Sequence, residues 1–139
     1  MANEIKIQLR QVSPFTSEAQ IRNHRVLVDR PVAKGGADAG PMGGELFLSA
    51  IGGCFMSTLL AAVRTRDIAI DDIHTEVTGV VDDTPPRFVA VDLVVTSAGT
   101  DAETLERLVE IADRGCIMMN TLRGTLQLTV HAAAFAGRR

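Results

Sequence analysis

Between Leu46 and Val63 the chain runs LFLSAIGGCFMSTLLAAV, eighteen residues without a charge, while on either side polar and apolar residues alternate. A helix on a protein surface shows a polar stripe every 3.6 residues, so this stretch predicts either a helix buried on all sides or a membrane span. Its length is about the minimum for a bilayer, and Ser49, Gly52, Gly53, Ser57 and Thr58 dilute its apolar character, which favours burial. Glycine inside a helix costs about 1 kcal/mol relative to alanine, so Gly52-Gly53 predicts that a strand, a partner helix or a substrate comes close to the backbone there.

Before this helix, Ile5, Ile7 and Leu9 alternate with Lys6, Gln8 and Arg10, the period of a half-buried strand that ends at Ser13-Pro14. A second strand is expected over Ile21 to Val28, with His24, Val26 and Val28 on one face and Arg25 and Leu27 on the other, pairing with the first as a hairpin. Asp29 to Gly44 is rich in glycine and proline without periodicity and reads as a loop feeding the helix, long enough to invite a functional role. Glu45 falls in the helix's first turn, where a carboxylate meets unpaired N–H groups.

After Arg64, Arg66 and Asp67 end the apolar run, Ile73, Thr75 and Val77 against His74, Glu76 and Thr78 predict another strand, and DDTPP at 82–86 predicts a turn. Phe88 to Val95 is β-branched and nearly all apolar, as a central strand antiparallel to the previous one would be. Thr100-Asp101-Ala102-Glu103 reads as a capping box opening an amphipathic helix, with Leu105, Leu108, Val109 and Ala112 inward and Glu106, Arg107, Glu110 and Asp113 outward. Gly115 closes it, Cys116 starts a new turn over CIMMNTL, and a last strand passes through Leu126, Leu128 and Val130. The order ββ, buried helix, ββ, outer helix, β argues for an α+β fold with a mostly antiparallel sheet.

With 139 residues, 46% of them apolar, residues 1–139 suit a single domain. A net charge of -3, and no basic cluster larger than Arg138-Arg139, give no footprint for nucleic acid or anionic lipid. MANEIKIQLRQV has no apolar signal-peptide core, so the expected location is the cytoplasm, where two cysteines are more often free, redox-active or metal-binding than a structural staple.

Cys54 and Cys116 form no local motif, and residue spacing leaves two readings open: a functional thiol pair, or two unrelated buried cysteines. His24, His74 and His131 have unrelated spacings and make no standard metal set with them, so no metal is expected. No G-x-S-x-G, H-E-x-x-H or phosphate loop occurs. Met42, Met56, Met118 and Met119, with Phe47 and Phe55, line either a pocket for an apolar ligand or, more often for such residues, a core.

The stretch DRPVAKGGADAGPMGGELFLSAIGGC, from Asp29 to Cys54, resembles the signature of the OsmC/Ohr family, and ADRGCIMMNTL resembles that family's second cysteine segment. The resemblance implies an intertwined homodimer with two long helices buried between sheets and two thiol sites at the subunit interface. It implies Cys54 as peroxidatic and Cys116 as resolving cysteine in the reduction of organic hydroperoxides, restored by a dithiol such as a lipoyl group, with no flavin, haem or metal cofactor. It implies, further, an arginine from the N-terminal region of the partner subunit, with Arg22, Arg25 and Arg30 as candidates, and an apolar pocket from Phe47, Phe55 and Met118.

The chain departs from the family pattern in three places, one being that no motif chooses among Arg22, Arg25 and Arg30 for the family's arginine. Where the best-characterised reductases of the family place a catalytic glutamate ten residues before the first cysteine, this chain has Gly44; Glu45, the candidate for that role, stands nine before, a spacing the wider family often has, and on the opposite side of a straight helix from Cys54. Where the family has proline after the second cysteine, this chain has Ile117. These motivate an alternative from another class, a non-catalytic dimeric protein binding an apolar ligand or partner. The dimer has its own argument: one small sheet cannot surround so apolar a helix, and the face left wet predicts an obligate homodimer.

Overall fold

The N-terminal alternation produces a strand, later and shorter than its pattern predicts. In the computed structural model, which describes residues 1–70 and 72–133, β1 is Gln8–Gln11, while Ile5 and Ile7 lie ahead of it with 89% and 49% of their surface exposed. A period of two marks a face that can be buried, and within one chain this face is open. The expected second strand is two: β2, Ser17–Ile21, and β3, His24–Val28, are separated by a two-residue turn at Arg22-Asn23, with Arg22 in the left-handed region at φ 54°. The sheet is an antiparallel meander in the order β1-β2-β3, so the first strand pairs with β2 and not with the 24–28 segment.

These strands belong to the first of two compact units, Met1–Phe47, whose other feature is the loop after β3. Asp29 is 4% exposed, and its carboxylate gathers the loop from within, beside backbone bonds such as Asp29 N to Pro41 O at 3.0 Å and Asp38 N to Arg30 O at 2.9 Å. Its Oδ2 accepts from Thr16 Oγ1 at 3.0 Å, Ala39 N at 3.0 Å and Ala37 N at 3.2 Å, and its Oδ1 accepts from Arg30 N at 2.6 Å. The loop is drawn in so tightly that a Cβ on Gly36 would stand 2.1 Å from Arg30 O, and one on Gly40 2.2 Å from Leu27 O. Its order comes from these backbone–carboxylate bonds together with backbone–backbone bonds inside the loop, and the two close approaches need residues without side chains.

The long helix α1, Gly43–Thr65, begins at the end of this unit and continues into the second, Leu48–Arg139. There it packs on a sheet in the order β4-β5-β6, made of β4, Ile73–Asp83, β5, Pro86–Ser97, and β6, Gln127–Ala132. The expected hairpin forms, β4 antiparallel to β5, and β5 is the central strand. β6 runs parallel to β5, which the alternation did not show. A parallel return needs a crossover, and two helices make it: α2, Ala102–Gly115, and α3, Ile117–Leu122. Asp101, one residue after the expected cap, caps α2 by accepting from Thr104 N at 2.7 Å.

The core of this unit lies between helices and sheet. Ile51, Phe55 and Leu59 of α1, Val91, Leu93 and Val95 of β5, and Leu105, Leu108, Val109 and Ala112 of α2 are buried. Each large side chain contributes about 1.5–3 kcal/mol through that burial. Gly52 is where β4 comes close, since a Cβ there would meet Val77 Cγ2 at 2.8 Å, whereas among the described residues nothing lies within 4 Å of the equivalent point on Gly53. Burial on all sides is not reached within one chain. Ala50, Gly53, Ser57, Leu60 and Arg64 form an exposed stripe, Leu60 at 41%, because a helix on one sheet covers only the sides that face it. α1 is long and apolar enough to cross a membrane, but its fully buried Ile51, Phe55 and Leu59 make it the core helix of this fold.

Candidate functional site

The fold brings the two cysteines together across 62 residues of sequence. Cys116 Sγ donates to Cys54 Sγ at 3.4 Å, and both are free thiols. Cys54 sits half-buried midway along α1, where Thr58 Oγ1 donates back to its carbonyl at 2.9 Å. Cys116 occupies the corner between α2 and α3 in extended backbone, φ -86° and ψ 125°, and its side chain is fully buried.

That difference in exposure sets their chemistry apart. Burial pushes the Cys116 thiol up from its ordinary value; the amides of Met119 and Met118 act the other way, without a side-chain capping bond, and the neighbouring Cys54 adds to the rise. Cys116 is thus held as a neutral thiol that gives its hydrogen to the sulfur of Cys54. A disulfide needs sulfurs about 2.05 Å apart, so a short approach of the corner to α1 suffices to join them.

The other expected site residues fall in several places. Glu45 Oε1 accepts from Met42 N at 2.8 Å, closing the first turn of α1. Arg22 occupies the β2–β3 turn, Arg25 pairs with Glu18 at 3.1 Å, and Arg30 is exposed at the mouth of the Asp29 loop. Phe55 is fully buried in the core, and Phe47 and Met118 are half-buried. In the second unit a groove of about 470 Å³ is lined by Leu48, Ser49, Gly52, Gly53, Met56, Ile73, His74, Thr75 and Val77. At about 100° per residue, Gly52 and Met56 stand about 160° around α1 from Cys54, so the middle of this groove and the thiols lie on different sides of α1. Among the described residues no cluster of three metal-ligating side chains occurs.

In the sequence Asp29 stands out only as part of a motif, and its role in folding the loop appears only in the structure. Its signal is an acidic residue followed by glycines where neighbouring amides lack strand partners.

An α+β sheet-and-helix fold with a close pair of free thiols, one half-exposed and one buried, defines a class of two-thiol proteins. A family profile described as "OsmC-like protein" matches residues 35–131, and the chain belongs to that family. Solved structures of the same fold include a protein from Psychrobacter arcticus described as a putative osmotic stress induced and detoxification response protein, with TM-score 0.81, 18% identity, and coverage of 96% of this chain and 98% of that one. An organic hydroperoxide resistance protein OsmC from Legionella pneumophila gives TM-score 0.74 at 18% identity, covering 96% of this chain and 98% of that one. The organic hydroperoxide resistance protein OhrB of Bacillus subtilis gives TM-score 0.69 at 22% identity, covering 94% and 98%. No curated protein sequence matches the chain.

Proposed function

We propose that this protein is a cytoplasmic thiol peroxidase that reduces organic hydroperoxides to alcohols through Cys54 and Cys116. The observation that carries the reading is the 3.4 Å contact between a half-exposed and a fully buried thiol. Membership of the OsmC family supports it, as do the names of the Legionella and Bacillus proteins that share the fold.

The exposed thiol meets the substrate first. As a thiolate, Cys54 attacks the distal oxygen of the hydroperoxide; the O–O bond breaks, the alcohol leaves with a proton, and sulfur keeps the other oxygen as a sulfenic acid. Cys116 then attacks that sulfur, the S–O bond breaks, water leaves and the disulfide forms. A dithiol such as a lipoyl group returns both thiols by exchange, taking the disulfide itself. Two thiols supply both electrons, so no prosthetic group enters the scheme. Alkyl hydroperoxides are favoured over hydrogen peroxide where the alkyl group is buried, at about 0.8 kcal/mol per CH₂.

The single OsmC-like domain works as a homodimer in this reading. Ala50, Gly53 and Leu60 of the exposed stripe on α1, with the exposed Ile5, Ile7 and Leu9, are the apolar surface that a second chain covers. The partner contributes one of Arg22, Arg25 and Arg30 to hold the Cys54 thiolate, and Phe47 and Met118 border the substrate. Sedimentation at micromolar concentration should show a dimer; a folded monomer would sink the shared site.

The direct test of activity is turnover of cumene hydroperoxide with a dithiol. Cys54→Ser should lose it entirely, and full turnover in that variant would overturn the proposal. Slow reaction of both native thiols with a neutral thiol reagent would favour instead a non-catalytic protein that binds an apolar ligand.

A further inference from the structure

The last carbonyls of a helix have no partner within it, and at the end of α2 the next helix supplies them. Asn120 Nδ2, from α3, donates to Arg114 O at 3.0 Å. Arg123, just after α3, donates through one guanidinium nitrogen to Asp113 O at 3.2 Å, Asp113 Oδ1 at 3.1 Å and Asn120 Oδ1 at 3.2 Å. Asn120 uses both ends of its amide, which fixes its orientation. The four residues bracket Cys116 on both sides, so the clamp spans the corner that carries the buried thiol.

A surface ion pair of this kind, with Arg123 half exposed, contributes little to stability. Its effect is on geometry. Gly115, beside Cys116, already lies against α1, with Thr58 Cγ2 3.4 Å from the place of its missing Cβ, and Thr58 stands one turn after Cys54 on the same helix. Any opening of the corner therefore changes the separation of the two sulfurs.

We infer that Asn120 and Arg123 are positioning residues for the Cys116 thiol, holding the α2–α3 corner so that Cys116 closes on an oxidised Cys54. The inference rests on the two thiols acting as a pair and extends that reading to residues which touch neither sulfur. It separates two steps: oxidation of Cys54 does not depend on the clamp, and closure of the disulfide does.

The test uses dithiodipyridine on the reduced, full-length protein, so that no peroxide chemistry is involved. Cys54 reacts first, releasing one thiopyridone and keeping the other as a mixed disulfide. Cys116 Sγ then bonds to Cys54 Sγ, the bond from Cys54 to the pyridyl sulfur breaks, and the leaving thiopyridone takes the proton of Cys116. This second release is intramolecular and independent of reagent concentration.

Arg123→Met and Asn120→Asp should slow the second release about tenfold, as expected when a reacting group is displaced by a fraction of an ångström, and leave the rate of the first unchanged. Arg123→Lys, which keeps one donor for Asp113, should recover part of the loss. Closure at the native rate in folded Arg123→Met or Asn120→Asp overturns the inference, and the nearly isosteric Asn120→Asp carries the test if Arg123→Met does not fold. Native closure without any hydroperoxide turnover would defeat the peroxidase reading alone; native closure rates in both variants with turnover intact would defeat the positioning role alone. No closure in the native protein defeats both.

Discussion

The loop around Asp29 and the corner around Cys116 are both held by side chains that bond to backbone, in opposite senses. At Asp29 one carboxylate gathers amides and a hydroxyl, whereas at the corner the donors of Asn120 and Arg123 cover carbonyls. The loop is shut, with Gly36 and Gly40 too close to backbone to admit a methyl group. The corner ends on a thiol aimed at a second thiol. The comparison separates two kinds of motif within one family signature: the aspartate and glycines of the loop have a structural cause in this chain, and in the proposed function the chemistry falls to the sulfurs. Substitutions in the loop should therefore cost stability and leave thiol chemistry intact, and substitutions at the corner should do the reverse.

The largest expected effect is that of Gly40→Ala. Its Cβ would stand 2.2 Å from Leu27 O, so backbone must move, at about 3 kcal/mol by urea unfolding. The folded fraction should still react with dithiodipyridine at the native first rate; a loss of Cys54 reactivity there would erase the distinction. Cys116→Ser should lie at the other pole. It should change stability by only about 1 kcal/mol, yet leave Cys54 as a sulfenic acid trappable by dimedone after one equivalent of hydroperoxide.

The two regions also differ in their response to pH. The amide of Ala39, ahead of the other donors, holds the Asp29 carboxyl below its ordinary 3.8. The unfolded chain then takes up the proton first, so stability from Asp29 is present above that value and lost as pH falls through the lower folded one. Asp29→Asn should be less stable than the native protein at neutral pH and show a shallower acid limb. Cys116 behaves oppositely, since its thiol is raised above 9.0 and the unfolded chain loses the proton first. Stability of the reduced protein should fall as pH rises above that value, and the fall should be smaller in Cys116→Ser.

The smallest effect tests the open side of α1. Gly53→Ala meets nothing within 4 Å and should favour the helix by about 1 kcal/mol, whereas Gly52→Ala meets Val77 and should not. If a second chain packs on Gly53, the same substitution should raise the dimer dissociation constant, read by sedimentation, and an unchanged constant would place the interface elsewhere.

The parts legible in the sequence were those in which one element carries its own pattern. The charge-free run became α1, the alternation at Ile73–Thr78 and the β-branched 88–95 segment became a hairpin, and Leu105, Leu108, Val109 and Ala112 became the inner face of α2. The turn at Arg22-Asn23 is not legible because apolar residues continue on both sides and neither glycine nor proline marks it; the asparagine is its one cue. The parallel pairing of β6 was hidden because alternation is the same in parallel and antiparallel strands. The thiol pair was open for the same kind of reason. Spacing says nothing about residues brought together by a crossover, and only the resemblance singled out Cys54 and Cys116 as partners. Asn120 and Arg123 carry no pattern, since two of their acceptors are backbone carbonyls that any sequence supplies and the Arg123–Asp113 pair spans ten residues across two helices.

The central claim is that Cys54 and Cys116 form one redox pair. It is tested most directly by adding one equivalent of cumene hydroperoxide to the fully reduced native protein and identifying the products by mass spectrometry of protein and solvent. The account predicts stoichiometric cumyl alcohol, loss of both thiols and a single intramolecular Cys54–Cys116 disulfide, reversed by a dithiol. Unconsumed hydroperoxide beside two intact thiols would contradict it.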